Sequence, residues 1–304
     1  MKKILIFKKR REVGEIISDT FAFIRLEGQN LLKYIVRFAG IPLVLVIITA
    51  SIYSINNDPE YNPIPQDTFN FINLFILLIS ALVYSALCYS ITLNYIQSYI
   101  NNQGQVHDAD IRAGIKRNFM KIIGLILLTG IIMVVVVLIS SFITGILGFL
   151  LGNLFWLVLL FFFVPIVYFF VVFSITYPIS VFEGLPNSSV INQSFKLISS
   201  QWWVTFLALL VIGLIYIALI MVFNIPAFIY LFIQEFVSTQ EYVYYEEAQI
   251  DWVELILNTF GVIAQYVLLS IQIIAGAFIY FNLNERKNFT GTLESIETIG
   301  QRES

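Results

Sequence analysis

Charge is what this sequence has least of: only 12% of its 304 residues are Asp, Glu, Lys or Arg, about half the share of an ordinary soluble domain. Hydrophobic residues make up 59%, and no polar stretch is long enough to form a soluble domain of its own. Cysteine occurs once, as Cys88, which excludes a disulfide within the chain and leaves the redox compartment unread. Histidine also occurs once, as His107 beside Asp108 and Asp110; that trio would need ligands from elsewhere to hold a metal, so the sequence calls for no metal and no cofactor. HExxH, GxSxG, P-loop and CxxC patterns are all missing, and no pair of carboxylates falls in mid-membrane. The expectation is a protein that is not an enzyme. A net charge of −3 gives no reason to expect nucleic acid as a partner.

Long apolar runs are what the chain does have. A membrane helix needs about 20 mostly apolar residues, and six runs qualify, over residues 31–55, 69–98, 119–146, 154–182, 203–232 and 252–281. The expected fold is all-α, a polytopic bundle forming one integral membrane domain over 1–304. Residues 1–30 form an amphipathic segment, 31–281 the spans and 282–304 a tail. Pro42, Pro165, Pro178 and Pro226 lie inside spans and predict kinks.

Charge asymmetry orients these spans. The connections 56–68, 147–153 and 233–251 contain no lysine or arginine, whereas all 17 basic residues fall on the opposite side of a six-span arrangement. The positive-inside rule then puts both termini in the cytoplasm. The basic start, Lys2–Lys3 and Lys8–Arg11, does not read as a cleaved signal. Only Ile4–Phe7 lies between the two basic runs, whereas a secretory core needs about 7–15 apolar residues.

An amphipathic segment precedes each odd-numbered span. Val13, Ile16, Ile17, Thr20, Phe21 and Ile24 recur at helical spacing before span one, Ile111, Ile115 and Phe119 before span three, and Val190 or Ile191, Phe195 and Ile198 before span five. This predicts three units, each an interfacial helix plus a transmembrane hairpin. Trp202 and Trp203 at the inner start of span five, Trp156 near the outer start of span four and Trp252 at the outer start of span six occupy aromatic-belt positions. They are read as interface anchors.

Span six carries the most regular polar pattern. Asp251, Asn258, Gln265 and Gln272 recur every seven residues, with Glu254 on or near that face. Such a face either lines a polar cavity or packs through interhelical hydrogen bonds. Asp251 and Glu254 also suit the positive end of the helix dipole. Ala81, Ser85, Cys88 and Thr92 form a small-residue seam on span two. Glu183, closing span four, is expected to pair with a loop arginine. Leu293, Ile296 and Ile299 of the tail offer a packing surface for the N-terminal amphipathic helix.

The stretches GEIISDTFAFIR (14–25), INQSFKLISSQWW (191–203) and YFNLNERKNFTGTLESIETIG (280–300) carry a resemblance. Over essentially its whole length the chain resembles a family of six-span integral membrane proteins common in Bacteroidota. That family is distantly similar to the membrane domain attached to some glycerophosphoryl diester phosphodiesterases. The resemblance implies a bacterial inner-membrane protein within a multi-protein assembly. No soluble phosphodiesterase domain is matched, so no hydrolase activity and no site residue is carried over. The functional expectation is a non-enzymatic inner-membrane component that binds membrane lipid or other inner-membrane proteins. The alternative is a transporter or lipid-handling channel with the polar face of span six along its path.

Overall fold

A computed structural model describes residues 4–57, 67–151, 155–238, 251–293 and 296. The described elements are helices: α1 (Val13–Asn57), α2 (Asp67–Asn101), α3 (Asp108–Leu151), α4 (Phe155–Phe173), α5 (Thr176–Phe182), α6 (Asn187–Ile198), α7 (Trp202–Ser238) and α8 (Trp252–Asn288). Six stretches are long and apolar enough to cross a membrane, and Val158–Phe182 supplies the fourth of them across the α4–α5 break. The chain is an all-α, multi-pass membrane protein, as its apolar runs require.

Two of the three amphipathic segments are not separate elements. The first is the opening of α1, 45 residues long, and the second the opening of α3, 44 residues long. At 1.5 Å per residue each helix runs about 65 Å, twice the thickness of the hydrocarbon core. Nothing in residues 13–41 or 108–151 stops a helix, since no proline occurs there. Amphipathic opening and apolar span therefore join into one rod. Only the third segment stands alone, as α6, set off from α7 by a turn at Ser199–Gln201.

The prolines act unequally. Helices α1, α4 and α7 continue through Pro42, Pro165 and Pro226. Span four instead breaks at Ser174–Ile175 into α4 and α5. Pro178, four residues beyond Ser174, has no N–H to offer that carbonyl.

The chain divides into two compact units. The first comprises Met1–Gln29, Tyr89–Ile212 and Ile273–Ser304, the second Asn30–Cys88 and Gly213–Gln272. In the first unit every residue from Ser90 to Ile96 on α2 and from Ile273 to Glu285 on α8 is buried. These two stretches are its central pillars, since a helix covered all round belongs inside a bundle. The buried ridges of the surrounding helices are Ile16, Thr20, Phe23 and Glu27 on α1, Ile111, Gly114, Asn118 and Ile122 on α3, and Val190, Ser194, Leu197 and Ile198 on α6.

These ridges keep Ile16, Thr20, Ile111, Val190 and Ile198 of the predicted faces and depart from them elsewhere. Ile17, Phe21, Ile24, Ile115, Phe119, Ile191 and Phe195 are only half-buried. The reason is close approach: Gly114 lies directly against the buried Asn94 side chain of α2, and Asn118 Nδ2 donates to Asn94 Oδ1 at 3.0 Å. Small and polar residues take the tight contact, and the large apolar ones splay to either side.

In the second unit, Leu31, Ile35, Ala39 and Val46 of α1 are buried together with Tyr84, Ala86 and Cys88 of α2. Asn73 Nδ2 donates to the Thr49 carbonyl at 3.0 Å and Tyr84 Oη to the Tyr266 carbonyl at 3.0 Å. Such bonds compensate polar groups that apolar surroundings would otherwise penalise.

Candidate functional site

The most constructed region of the first unit is one that periodicity did not single out. Residues 4–12 form a strap that plugs into the end of the α2 and α8 pillars. Phe7 is 2% exposed and stacks on Phe278, with ring centres 4.4 Å apart and planes within 3°. The rings of Phe23, Tyr99 and Phe281 meet it edge-on at 5.4, 6.1 and 5.7 Å. Leu5 N–H donates to Tyr99 Oη at 3.1 Å.

Arg11 follows one turn later and is 1% exposed. A buried charge survives only when it is paired and its donors are satisfied, and here both conditions are met. Nε reaches Asp19 Oδ2 at 2.9 Å, and Nη1 and Nη2 donate to the carbonyls of Phe7, Lys9 and Ile6. The guanidinium carbon lies 4.7 Å from the centre of the Phe278 ring. Burial weakens the guanidinium's hold on its proton, and the Asp19 hydrogen bond and charge oppose that loss. The Arg11 main chain is held as well, with N–H on Asn282 Oδ1 at 2.8 Å and C=O accepting from Arg286 Nη2 at 2.9 Å.

The tail closes over the strap from α8. The Glu285 carboxylate, 3% exposed, accepts from Gly291 N–H at 2.6 Å, Thr292 N–H at 3.2 Å and Thr292 Oγ1 at 2.6 Å. Gly291 touches the Lys8 carbonyl so closely that a Cβ there would overlap it. Phe289 takes φ of +54°, a conformation uncommon for a bulky residue, and the Arg10 guanidinium lies 4.6 Å from the centre of its ring. Strap and tail thus meet through backbone and carboxylate. Leu293 and Ile296, which offer a packing surface for the N-terminal helix, are 55% and 60% exposed, and Ile299 lies outside the described residues.

Every lysine and arginine of the chain except Lys33 and Arg37 belongs to this unit. Arg10, Arg112, Lys116, Arg117, Lys196 and Lys287 are exposed. Lys9 pairs with Asp19 at 3.1 Å and Arg112 with Asp108 at 3.1 Å. Lys287 Nζ donates to the Lys196 carbonyl at 2.6 Å, tying α8 to α6. Among the described residues Glu183 accepts from no arginine; its partners are Tyr280 Oη at 3.0 Å and Gln193 Nε2 at 3.4 Å. The loop around His107 is organised by Asp110, whose Oδ2 accepts from Ser98 Oγ at 2.8 Å and Asn102 Nδ2 at 2.9 Å. Among the described residues no three His, Cys, Asp or Glu side chains gather as a metal group.

The polar face of span six lies on α8 in the second unit and divides in two. At its start, Asp251 Oδ1 caps the helix by accepting from Val253 N–H at 2.9 Å and Glu254 N–H at 3.1 Å. Its Oδ2 accepts from Tyr230 Oη at 2.6 Å and from Gln234, both on α7. Asn258 Nδ2 reaches Glu254 Oε1 at 3.3 Å. Further along, Gln265 is exposed and Gln272 half-buried. Gln265 instead offers its backbone carbonyl to Tyr216 Oη at 2.9 Å.

Among the tryptophans, Trp203 and Trp252 are 71% and 64% exposed. Trp202 is half-buried and stacks on Phe206 at 5.3 Å. The Trp156 side chain lies outside the described residues.

What periodicity missed is the pairing of strap and pillar. Phe278 and Asn282 do recur at helical spacing on α8, but their partners Phe7 and Arg11 lie 271 positions away in sequence. No protein-family model, curated protein or solved structure matches the chain.

Proposed function

We propose that this chain is a non-enzymatic component of a bacterial inner membrane, with both termini in the cytoplasm. It binds lipid or partner membrane proteins through the basic unit closed by its strap and tail. It belongs, on this reading, to the six-span family that its sequence resembles. The observation that carries the reading is the interlock itself. Phe7, Arg11 and Glu285 fix both ends of the chain to the pillars and so hold the basic side chains on a preorganised scaffold, which lowers the entropy lost on binding. The absence of lysine and arginine from 56–68, 147–153 and 233–251 supports the orientation.

The test is extraction of the full chain in mild detergent, followed by identification of retained lipids and proteins. Reproducible enrichment of one lipid class or one set of membrane proteins is the expected outcome. Repeated recovery of a partner-free and lipid-free monomer overturns the reading.

The exposure of Gln265 on a membrane-crossing helix favours a second reading, a transporter or lipid-handling channel with the α8 face along its path. Under that reading Gln265→Leu slows transport in reconstituted vesicles without loss of folded protein.

A further inference from the structure

One ridge of α1 changes character along its length. Lys33 and Arg37 stand one turn apart and both are exposed. Side chains at this spacing stand one above the next on a helix. Beyond them the same side of α1 turns apolar and stays uncovered, with Ile41, Val44 and Ile48 at 80%, 53% and 49% exposure. Gly40 lies between the two parts, and a Cβ added there would meet nothing within 4 Å. It leaves a notch where basic ridge gives way to apolar ridge.

Helix length sets the depth of this boundary. From Phe38 to Tyr53 α1 rises about 24 Å at 1.5 Å per residue, somewhat less than a hydrocarbon core of about 30 Å. The membrane therefore draws Arg37 to its polar boundary, and Lys33 stands one turn further out, among the headgroups. The Arg37 guanidinium carbon lies 5.4 Å from the centre of the Phe38 ring, which holds its cation beside an apolar surface.

We propose that this ridge binds an anionic glycerophospholipid, an inference that rests on reading the chain as a lipid-binding membrane protein. Lys33 and Arg37 take the phosphate. One acyl chain lies in the notch at Gly40 and along Val44 and Ile48. The amphiphile matches the ridge end for end, with anion against cation and chain against apolar surface. Two cations at one phosphate disfavour the ammonium of a zwitterionic headgroup and favour a lipid with net negative charge.

The experiment uses the full chain in nanodiscs of equal phosphatidylglycerol and phosphatidylethanolamine with identical acyl chains, and counts retained lipids by native mass spectrometry. The wild type is expected to prefer phosphatidylglycerol about five-fold or more, the scale of one basic residue at a membrane surface. K33Q/R37Q is expected to lower that preference about two-fold or more. Equal retention in the wild type, or an unchanged preference in K33Q/R37Q, overturns the proposal. In the second case the lipid-binding function stands and only this site falls. A wild type that retains neither lipid nor protein partner removes both.

A photo-crosslinking residue at the exposed Ile41 reports on the same site without removing either cation. Adducts with phosphatidylglycerol above its share of the bilayer are expected. Adducts in proportion to the mixture, or with a protein, overturn the proposal.

Discussion

Arg11 is the residue on which most of the strap depends. Its side chain serves a carboxylate, three carbonyls and an aromatic ring. Removing the guanidinium leaves the carbonyls of Ile6, Phe7 and Lys9 without their donor, at a cost of about 1–3 kcal/mol, while Asp19 keeps Lys9 at 3.1 Å. Arg11→Ala is therefore expected to lower the thermal midpoint in detergent by many degrees, followed by intrinsic fluorescence. Arg11→Lys recovers only part, because a single ammonium cannot serve the directions that the planar fork does.

Glycines give a second contrast at this scale. At Gly114 a Cβ would overlap the buried, hydrogen-bonded Asn94 side chain, and at Gly261 it would meet the half-exposed Asn224. Gly114→Ala is expected to cost about 1–3 kcal/mol, as overpacking does, and Gly261→Ala less, since Asn224 has room to turn. Gly130 meets nothing within 4 Å, so Gly130→Ala should be neutral or slightly stabilising through helix propensity. Thermal midpoints of the three variants that fall in another order would refute this account of the packing.

Among the elements, α8 shows a start that is separately fastened. Asp251 caps its first turn and ties it to Tyr230 and Gln234 of α7. Losing such a cap costs about 1 kcal/mol, so Asp251→Ala should raise amide exchange in the first turn of α8 and leave the pillar residues 273–285 unaffected. The Tyr230 hydroxyl, with the N–H groups of Glu254 and Val253 and the Gln234 amide, holds the Asp251 carboxyl below the usual carboxylate range. A carboxyl depressed on folding stabilises the folded state above its unfolded value of about 3.9 and loses that contribution as pH falls through the folded value. Exchange in this turn should therefore accelerate below about pH 4 in the wild type, whereas Asp251→Ala shows no such acid-dependent step.

For the whole molecule, the distribution of basic residues makes the sharpest prediction. They gather in the unit that holds strap, tail and the α2–α3 and α5–α7 connections. A cysteine placed at the exposed Gln105, in a Cys88→Ala background, should be shielded from a membrane-impermeant maleimide in intact cells and labelled in inverted vesicles. Labelling in intact cells would reverse the proposed orientation and remove the cytoplasmic setting of the basic unit.

Much of the architecture was legible because it follows from solvent. Apolar runs must cross a membrane as helices, since no other open structure satisfies the backbone there. The helical class, the six crossings and the grouping of the basic residues rest on composition along the chain. The place of Asp251 at the start of α8 was legible too, because an anion at a helix N-terminus acts on its own helix within a few residues. Other features were not. Ile17 and Phe21 read as one face of α1 with Ile16 and Thr20, yet Phe23 and Glu27 are the residues buried beside Ile16 and Thr20. The choice depends on how closely a neighbouring backbone approaches, and periodicity carries no information on that. The joining of amphipathic openings to α1 and α3 likewise followed from the absence of a stop rather than from any positive signal. The strap was hidden for a related reason: Phe7 and Arg11 are buried only because Phe278, Asn282 and Arg286 come to them from the other end of the chain. Local sequence thus determined which segments are helical and which cross the membrane, because hydrophobicity and backbone hydrogen bonding act within a segment. Tertiary structure alone decided which faces are buried and where the two chain ends meet, because contact distance between remote segments is set only when all of them pack together.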